Sequence, residues 1–322
     1  MRALICGVGG QDGAYLAQFL LSKGYDVWGT SRDAQVASFN NLISLGVREQ
    51  VTVLSMAQND FRSVLATLKL TAPDEVYFLS GQTSVGLSFD QPVETIESIT
   101  IGILNLLEAV RFLDKPIKVY HASSSECFGD IGTESANENT SFHPCSPYAV
   151  AKASAHWLVA NYRDAYGMFV SNGLLFNHES PLRPSRFVTR KIISAACRIA
   201  NGSKEKLELG KLDIVRDWGW APEYVDAMWR ILQQDKADDF IIATGEANSL
   251  EEFVKYTFDY LGLTWHDHVV SNSALFRPTD LLWSQGNAHK AKSQLGWEAS
   301  SKMRDVVSNM IKAENIQNNL NR

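Results

Sequence analysis

Tyr148 and Lys152 stand four residues apart in Ser146-Pro-Tyr-Ala-Val-Ala-Lys152, and Ser124-Ser-Glu126 lies a short way upstream. Residues four apart share a helix face, so the spacing predicts the Lys152 ammonium beside the Tyr148 phenol. A nearby positive charge favours phenolate and would move a phenol of ordinary pKa about 10 toward a working base. Read alone, the pair fits equally a packed helix with an exposed lysine, Ser124 a turn residue and Glu126 a solvated loop carboxylate. What raises the chemical reading is the start of the chain, where Gly7-Val-Gly-Gly10-Gln-Asp-Gly13 separates an apolar strand, Arg2 to Cys6, from an amphipathic helix. Glycines at a strand-to-helix turn let the backbone approach a pyrophosphate whose charge sits at the helix N-terminus.

The elements that must carry these residues follow in order. Ser146 and Pro147 are a cap and a first-turn proline for a helix continuing through Ala149, Val150, Ala151, Ala153 and Ala155. The second strand, Tyr25 to Thr30, ends in Ser31-Arg32-Asp33, where an arginine suits the 2′-phosphate of NADP and a carboxylate the ribose hydroxyl of NAD. Arg32 favours NADP, and Asp33 beside it keeps NAD open. Strands at Val51–Leu54, Glu75–Leu79 and Ile117–Ala122 alternate with helices at Phe61–Leu70 and around Thr95–Leu113. Such alternation predicts an α/β fold, a doubly wound parallel sheet with right-handed crossovers. Ligands then lie beyond the carboxyl ends of the strands, where Ser80-Gly-Gln-Thr-Ser84 and Ser124 to Glu126 both fall.

At 322 residues and 45% hydrophobic, the chain can bury the core of one large or two smaller domains. A formal net charge of -6 without basic runs argues against a nucleic-acid partner, so anionic ligands must meet a few placed cations. No apolar run is long enough to cross a membrane, and no secretory segment precedes the first strand. Cys6, Cys127, Cys145 and Cys197 form no CxxC pair and suggest neither metal nor disulfides, which fits a cytoplasmic protein. The polar tail from Ala313 is expected to fray.

Longer motifs point further. Asn161-Tyr-Arg-Asp-Ala-Tyr-Gly-Met, Leu175-Phe-Asn-His-Glu-Ser-Pro181, Val188-Thr-Arg-Lys191, Arg216-Asp-Trp-Gly219 and Arg277-Pro-Thr279, with the short motifs above, resemble the GDP-mannose 4,6-dehydratase family over nearly the whole chain. That family belongs to the extended short-chain dehydrogenase/reductases. The resemblance implies a Rossmann domain at 1–176 plus about 213–246, and a smaller α/β nucleotide-sugar domain at about 177–212 and 247–322. It implies a tightly bound, recycled NADP held by Gly7, Gly10, Gln11, Asp12, Gly13, Arg32, Leu79, Gly81, Gln82, Tyr148, Lys152, His178 and Arg183. His178 reads equally as a core histidine with both ring nitrogens satisfied. The catalytic set would be Ser124, Glu126, Tyr148 and Lys152. On that resemblance Tyr148 would deprotonate the hexose 4-hydroxyl as hydride leaves C4, and Glu126 would remove the C5 proton that the new ketone acidifies. Water leaves from C6 and hydride returns there. Ser84, Ser124, Glu126, Asn177, Lys191, Arg216 and Arg277 would meet the GDP-sugar, since arginine's fork suits phosphate oxygens.

The chain departs from the family pattern where it has Gly9 for threonine, Phe78 for asparagine and Ser55-Met-Ala57 in place of an aspartate against adenine. After Arg32 it lacks a second arginine and has a shorter loop, Asp33 to Asn40. That loop commonly reaches a neighbouring subunit, so homodimer and homotetramer both stay open. A GDP-manno-heptose is the rival sugar, because only the space around C6 separates it from mannose. A reductase or epimerase on the same scaffold would have no use for Glu126 at C5, and a non-catalytic NADP sensor would not need the Ser/Glu/Tyr/Lys set.

Overall fold

The computed structural model describes residues 1–320, with side chains through Ile316. Its main sheet runs through β1 (Arg2–Cys6), β2 (Asp26–Ser31), β3 (Thr52–Ser55), β4 (Glu75–Phe78), β5 (Lys118–Ser124) and β6 (Val170–Leu175). A short strand, Phe240–Ile242, joins the far edge against β6. All pairings are parallel, as the alternation of strands and helices predicts. The strands read as continuous apolar runs because both faces are covered. Ala3 and Ile5 of β1 face helices Gln11–Ser22 and Ala221–Leu232, while Leu4 and Cys6 face helices Phe61–Thr71 and Gly102–Leu113. Each such fully buried Leu or Ile contributes roughly 1.5–3 kcal/mol. From β1 the chain winds outward to β3, then returns to place β4 on the other side of β1. That reversal opens a crevice at the carboxyl ends of β1 and β4.

The helix expected around Thr95–Leu113 is not continuous. Helix Pro92–Ile96 gives way to a π turn at Glu97–Ile101 before helix Gly102–Leu113 begins. The wide turn frees the Ser98 carbonyl for Gln58 Nε2 at 2.8 Å and presents Ser98 Oγ to the Gln82 amide at 3.2 Å. A local demand from the strand ends therefore overrides helical periodicity.

The remaining strands form smaller sheets beside the first. β7 (Asn177–Glu179) pairs with β9 (Val215–Trp220), which also pairs with Ala247–Ser249 and Trp283–Ser284, and β8 (Leu207–Leu209) pairs with Val269–Ser271. Helices Val188–Ala200, Leu250–Tyr260 and Met303–Leu320 enclose a third core around Trp218, Phe253 and Phe258. Two stretches cross between the cores. β9 lies in the smaller sheet while the helix after it packs on the large one, and Ala288, Ala291, Leu295 and Trp297 rejoin the first core. The fraying expected from Ala313 is not seen: Met303–Leu320 is helical, and buried Glu314 pairs with Arg190. Asn321 and Arg322, the end of that expected tail, lie outside the described residues. No helix among the described residues is long and apolar enough to cross a membrane.

Candidate active site

A cleft of about 1190 Å³ lies over the carboxyl ends of β1 to β4. Its floor is the glycine turn. Gly7 has φ +86°, a left-handed value that glycine adopts without strain, and its carbonyl accepts the Gly10 amide at 3.1 Å. A Cβ on Gly13 would lie 2.4 Å from the Gly7 carbonyl oxygen and 2.7 Å from Val8 Cα, so only glycine lets helix and turn pack this closely. With the helix N-terminus opening into the cleft, the backbone fits a dinucleotide diphosphate.

Gln11 and Asp12 line the cleft but bond across to β7 and the chain after it. Asp12 Oδ2 lies 2.9 Å from His178 Nε2, Gln11 Nε2 donates to the His178 carbonyl at 3.2 Å, and Ser180 Oγ donates to Gln11 Oε1 at 2.7 Å. His178 Nδ1 meets the Phe176 carbonyl at 2.7 Å and its ring stacks on Tyr224. Both nitrogens are thus satisfied, which answers the core-histidine alternative in structural terms. Burial works against charge on both partners, but each stabilises the other. The Asp12 carboxyl is held at about 2 and the imidazole is raised above its ordinary value.

At the mouth, Arg32 is exposed and pairs with Glu94 at 2.9 Å, whereas Asp33 Oδ1 accepts the amides of Gln35 and Val36. The carboxylate that kept NAD open is turned into its own loop. Phe39, in the left-handed region at φ 48°, is buried beside Gly9, where a threonine's Cβ would meet the ring at 3.4 Å. Met56 to Asn59 form the wall where an aspartate was expected to be absent. Leu79, Gly81 and Gln82 line the cleft from β4. Ser84, expected at the substrate, caps helix Val85–Asp90: its Oγ accepts the Leu87 amide at 3.2 Å and its own amide donates to Gln82.

Beyond this cleft, β5 ends in a tight turn in which Ser124 Oγ accepts the Glu126 amide at 3.3 Å. Helix Pro147–Tyr166 starts as expected, with Ser146 Oγ accepting the Ala149 amide at 3.1 Å and Pro147 in its first turn. Lys152 Nζ sits 5.9 Å from the Tyr148 ring centroid, yet its hydrogen bond goes to the Ala122 carbonyl at 2.6 Å. The expected acidification of Tyr148 by Lys152 is not what the protein groups produce. Burial pushes the phenol above its ordinary 10; Ser124 pulls it down, and Glu126 and Cys127 push it up again. Burial lowers the Lys152 ammonium to about 8, against the pull of Cys127 and Asp12. Glu126 is half-buried and raised above the ordinary carboxyl value by burial, while Arg216 and Arg277 draw it back.

Arg216 and Arg277 face Glu126 from β9 and from the loop before Trp283. Arg216 is 5% exposed and donates through Nη1 to the Val215 and Leu281 carbonyls at 2.9 and 2.8 Å. Asp280, which sequence reasoning missed, lies 3.1 Å from Arg216 and 3.4 Å from Arg277. Its signal was position alone, three residues past Arg277. Glu179 was also missed, although it stands inside a quoted motif. Buried, it accepts Thr189 Oγ1 at 2.6 Å and pairs at 3.2 Å with Arg183, which lines the cleft. Lys191 Nζ donates to the Glu208 carbonyl at 2.6 Å. Asn177 is half-buried at the start of β7. Asp217, between Arg216 and Trp218, is structural. It accepts the Thr244 hydroxyl at 2.7 Å and the amides of Thr244 and Gly245, and burial raises it to about 6. Among the described residues no cluster of three or more histidines, cysteines or carboxylates could hold a metal.

The comparisons with known proteins agree in direction. The sequence model of GDP-mannose 4,6 dehydratase matches residues 4–310. The chain is 44% identical over 319 residues to GDP-mannose 4,6 dehydratase 1 of Arabidopsis thaliana, covering 96% of this chain and 88% of that one. It is 39% identical over 337 residues to the GDP-mannose 4,6 dehydratase of Homo sapiens, covering 97% and 91%. Among solved structures, a dTDP-glucose 4,6-dehydratase from Streptomyces venezuelae with NAD bound superposes with TM-score 0.88 at 20% identity, covering 99% of this chain and 98% of that one. A Thermus thermophilus UDP-glucose 4-epimerase with NAD superposes with TM-score 0.83 at 24% identity, covering 96% and 99%. At those identities the two structures speak for the fold.

Proposed function

The chain belongs to the GDP-mannose 4,6-dehydratase family, and from that premise we propose that it converts GDP-D-mannose to GDP-4-keto-6-deoxy-D-mannose with loss of water. The observation that carries the reading is Glu126: a half-buried carboxylate with a raised pKa, facing two arginines and within electrostatic reach of Tyr148. An epimerase or reductase on the same sheet has no need of a base at C5. The cofactor is NADP; when bound it accepts hydride from C4 and returns it to C6. Tyr148 takes the proton of the 4-hydroxyl, with Ser124 holding that oxygen. The ketone acidifies C5, and Glu126 removes its proton, a general-base step worth roughly 10²–10⁴-fold. The electron pair of the C5–H bond becomes the C5–C6 double bond as hydroxide leaves C6, and the proton on Glu126 completes the water. C5 then takes a proton from solvent as hydride reaches C6, and Tyr148 releases the proton it took to solvent. Arg216 and Arg277 grip the diphosphate, with Asn177 and Lys191 on the same side. Arg183, braced by Glu179, faces the cofactor with His178 behind the glycine turn, and Arg32 is the cation for a 2′-phosphate.

Mass spectrometry of the product from GDP-mannose, run beside GDP-manno-heptose, tests this. The expected result is a 4-keto-6-deoxy product from mannose, less one water and without net NADPH consumption. An epimer, stoichiometric NADPH use or conversion of the heptose alone would refute it.

We also propose self-association. Val150 and Trp157 on helix Pro147–Tyr166, with Val93, Ile96 and Ile101 on the helix pair against it, are large exposed apolar side chains, Trp157 being 61% exposed. A second copy of this face is the fitting cover, giving a homodimer. Light scattering should then give twice the chain mass, and Trp157→Glu a monomer; a wild-type monomer contradicts it. A cytoplasmic location fits the free state of Cys6, Cys127, Cys145 and Cys197.

A further inference from the structure

Arg216 and Arg277 are two cations converging on the side of the site that must take a diphosphate, and the protein already places an anion between them. Asp280 Oδ1 lies 3.1 Å from Arg216 Nη2 and 3.4 Å from Arg277 Nη1. Arg216 is buried, both its Nη1 hydrogens go to backbone carbonyls, and no described residue accepts from its Nε. The loop that carries Asp280 is tied to the Tyr148 helix as well, because Thr279 Oγ1 donates at 2.5 Å to the carbonyl of Cys145, next to the Ser146 cap. The charged and titratable groups facing Glu126 are thus Arg216 from β9, Arg277 and Asp280 from the loop, and the neutral Tyr148 from its helix, with Cys127 beside it on the same turn.

We propose that Asp280 is a positioning residue: it holds Arg216 and Arg277 until the substrate's diphosphate engages them, and so couples filling of the diphosphate site to the strength of Glu126 as the C5 base. This rests on the roles proposed above for Glu126 and the arginines. The sign follows from Coulomb's law. The arginines draw Glu126 toward its charged form, and a carboxylate beside them weakens that pull. A diphosphate weakens it further, so Glu126 binds a proton more tightly, and is a better base, once substrate is seated. Coupling of this kind is reciprocal: a change that favours charged Glu126 must also change the affinity for the anion.

Wild-type enzyme gives the first test. The acid limb of kcat, which reports the substrate complex, should lie at higher pH than the acid limb of kcat/KM, which reports the free enzyme. Coincident limbs would overturn the coupling. The second test is Asp280→Asn, which keeps the shape and removes the charge. With the arginines released, inorganic pyrophosphate should compete about tenfold more tightly, KM for GDP-mannose should fall, and the acid limb of kcat/KM should move to lower pH while that of kcat moves less. Asp280→Glu, which restores the charge, should return these values toward wild type. Unchanged pyrophosphate inhibition in Asp280→Asn, or equal shifts in Asp280→Glu, would overturn the proposal. If wild type leaves GDP-mannose unconverted, the proposed function fails, and the pyrophosphate measurement on both variants still reads the role of Asp280.

Discussion

The two halves of the site are built by different means. The proposed cofactor cleft is floored by main chain at the ends of neighbouring parallel strands, with Gly7, Gly10 and Gly13 giving close approach and Gly81 and Gln82 adding a second edge. The proposed nucleotide-sugar side is made of side chains from separate segments: Glu126 after β5, Tyr148 on a helix, Arg216 on β9, and Arg277 with Asp280 on a late loop. The glycine turn tolerates little change in shape, and the charges around it are paired, Asp12 with His178, Arg32 with Glu94 and Arg183 with Glu179. The side-chain site holds its charges in mutual balance, so removing one resets its neighbours.

Five substitutions and a pH series probe that contrast, starting with the largest effect. Tyr148→Phe removes the proton acceptor at C4 and should lower kcat about 10³–10⁴-fold in steady-state assays with GDP-mannose. Cofactor affinity should change far less; equal losses in both would merge the two halves into one. Gly13→Ala puts a methyl against the Gly7 carbonyl, so it should weaken NADP binding by isothermal titration and cost about 1–3 kcal/mol in denaturant unfolding. Normal NADP affinity in that variant would mean the turn is not the diphosphate seat. Arg216→Ala should raise KM about 30-fold, near 2 kcal/mol, with a smaller rise for the more exposed Arg277→Ala; the reverse order would misplace the diphosphate.

The smallest effect concerns the Asp12–His178 pair. Asp12 is lowered, so its contribution to stability is present above the ordinary 3.8 and is lost as pH falls toward about 2. His178 is raised, so its contribution is present below the ordinary 6.5 and is lost as pH rises through the folded value. Thermal melts should therefore lose stability at both ends, and His178→Asn should flatten both, because the imidazole is also what lowers Asp12. An unchanged alkaline slope in His178→Asn would remove the pair from the account.

The same contrast decides what could be read from the chain. The glycine turn, the parallel order and the Tyr148 helix with its Ser146 cap are local patterns, and each stands where periodicity and turn chemistry put it. The π turn at Glu97–Ile101 was illegible because its cause, the seat of Gln82 and Gln58, comes from other strands. Asp280 and Glu179 each stand within four residues of an arginine they pair with, but that spacing alone does not mark a site. Their meaning depends on arginines brought beside them by the fold, across 64 residues for the Arg216–Asp280 bond. Lys152 was placed on the correct helix face, yet burial and the Ala122 carbonyl, not the phenol, dominate its surroundings. Ser84 lay at the correct sheet edge, but the helix that follows takes its hydroxyl as a cap.

The central claim is that Glu126 strips the proton from C5. The direct test is GDP-mannose turned over in D₂O by wild type and by Glu126→Gln, with the sugar examined by NMR and mass spectrometry. Wild type should give a 4-keto-6-deoxy product carrying deuterium at C5, and Glu126→Gln should show neither deuterium at C5 nor loss of water. Deuterium at C5 that persists in Glu126→Gln would contradict the account.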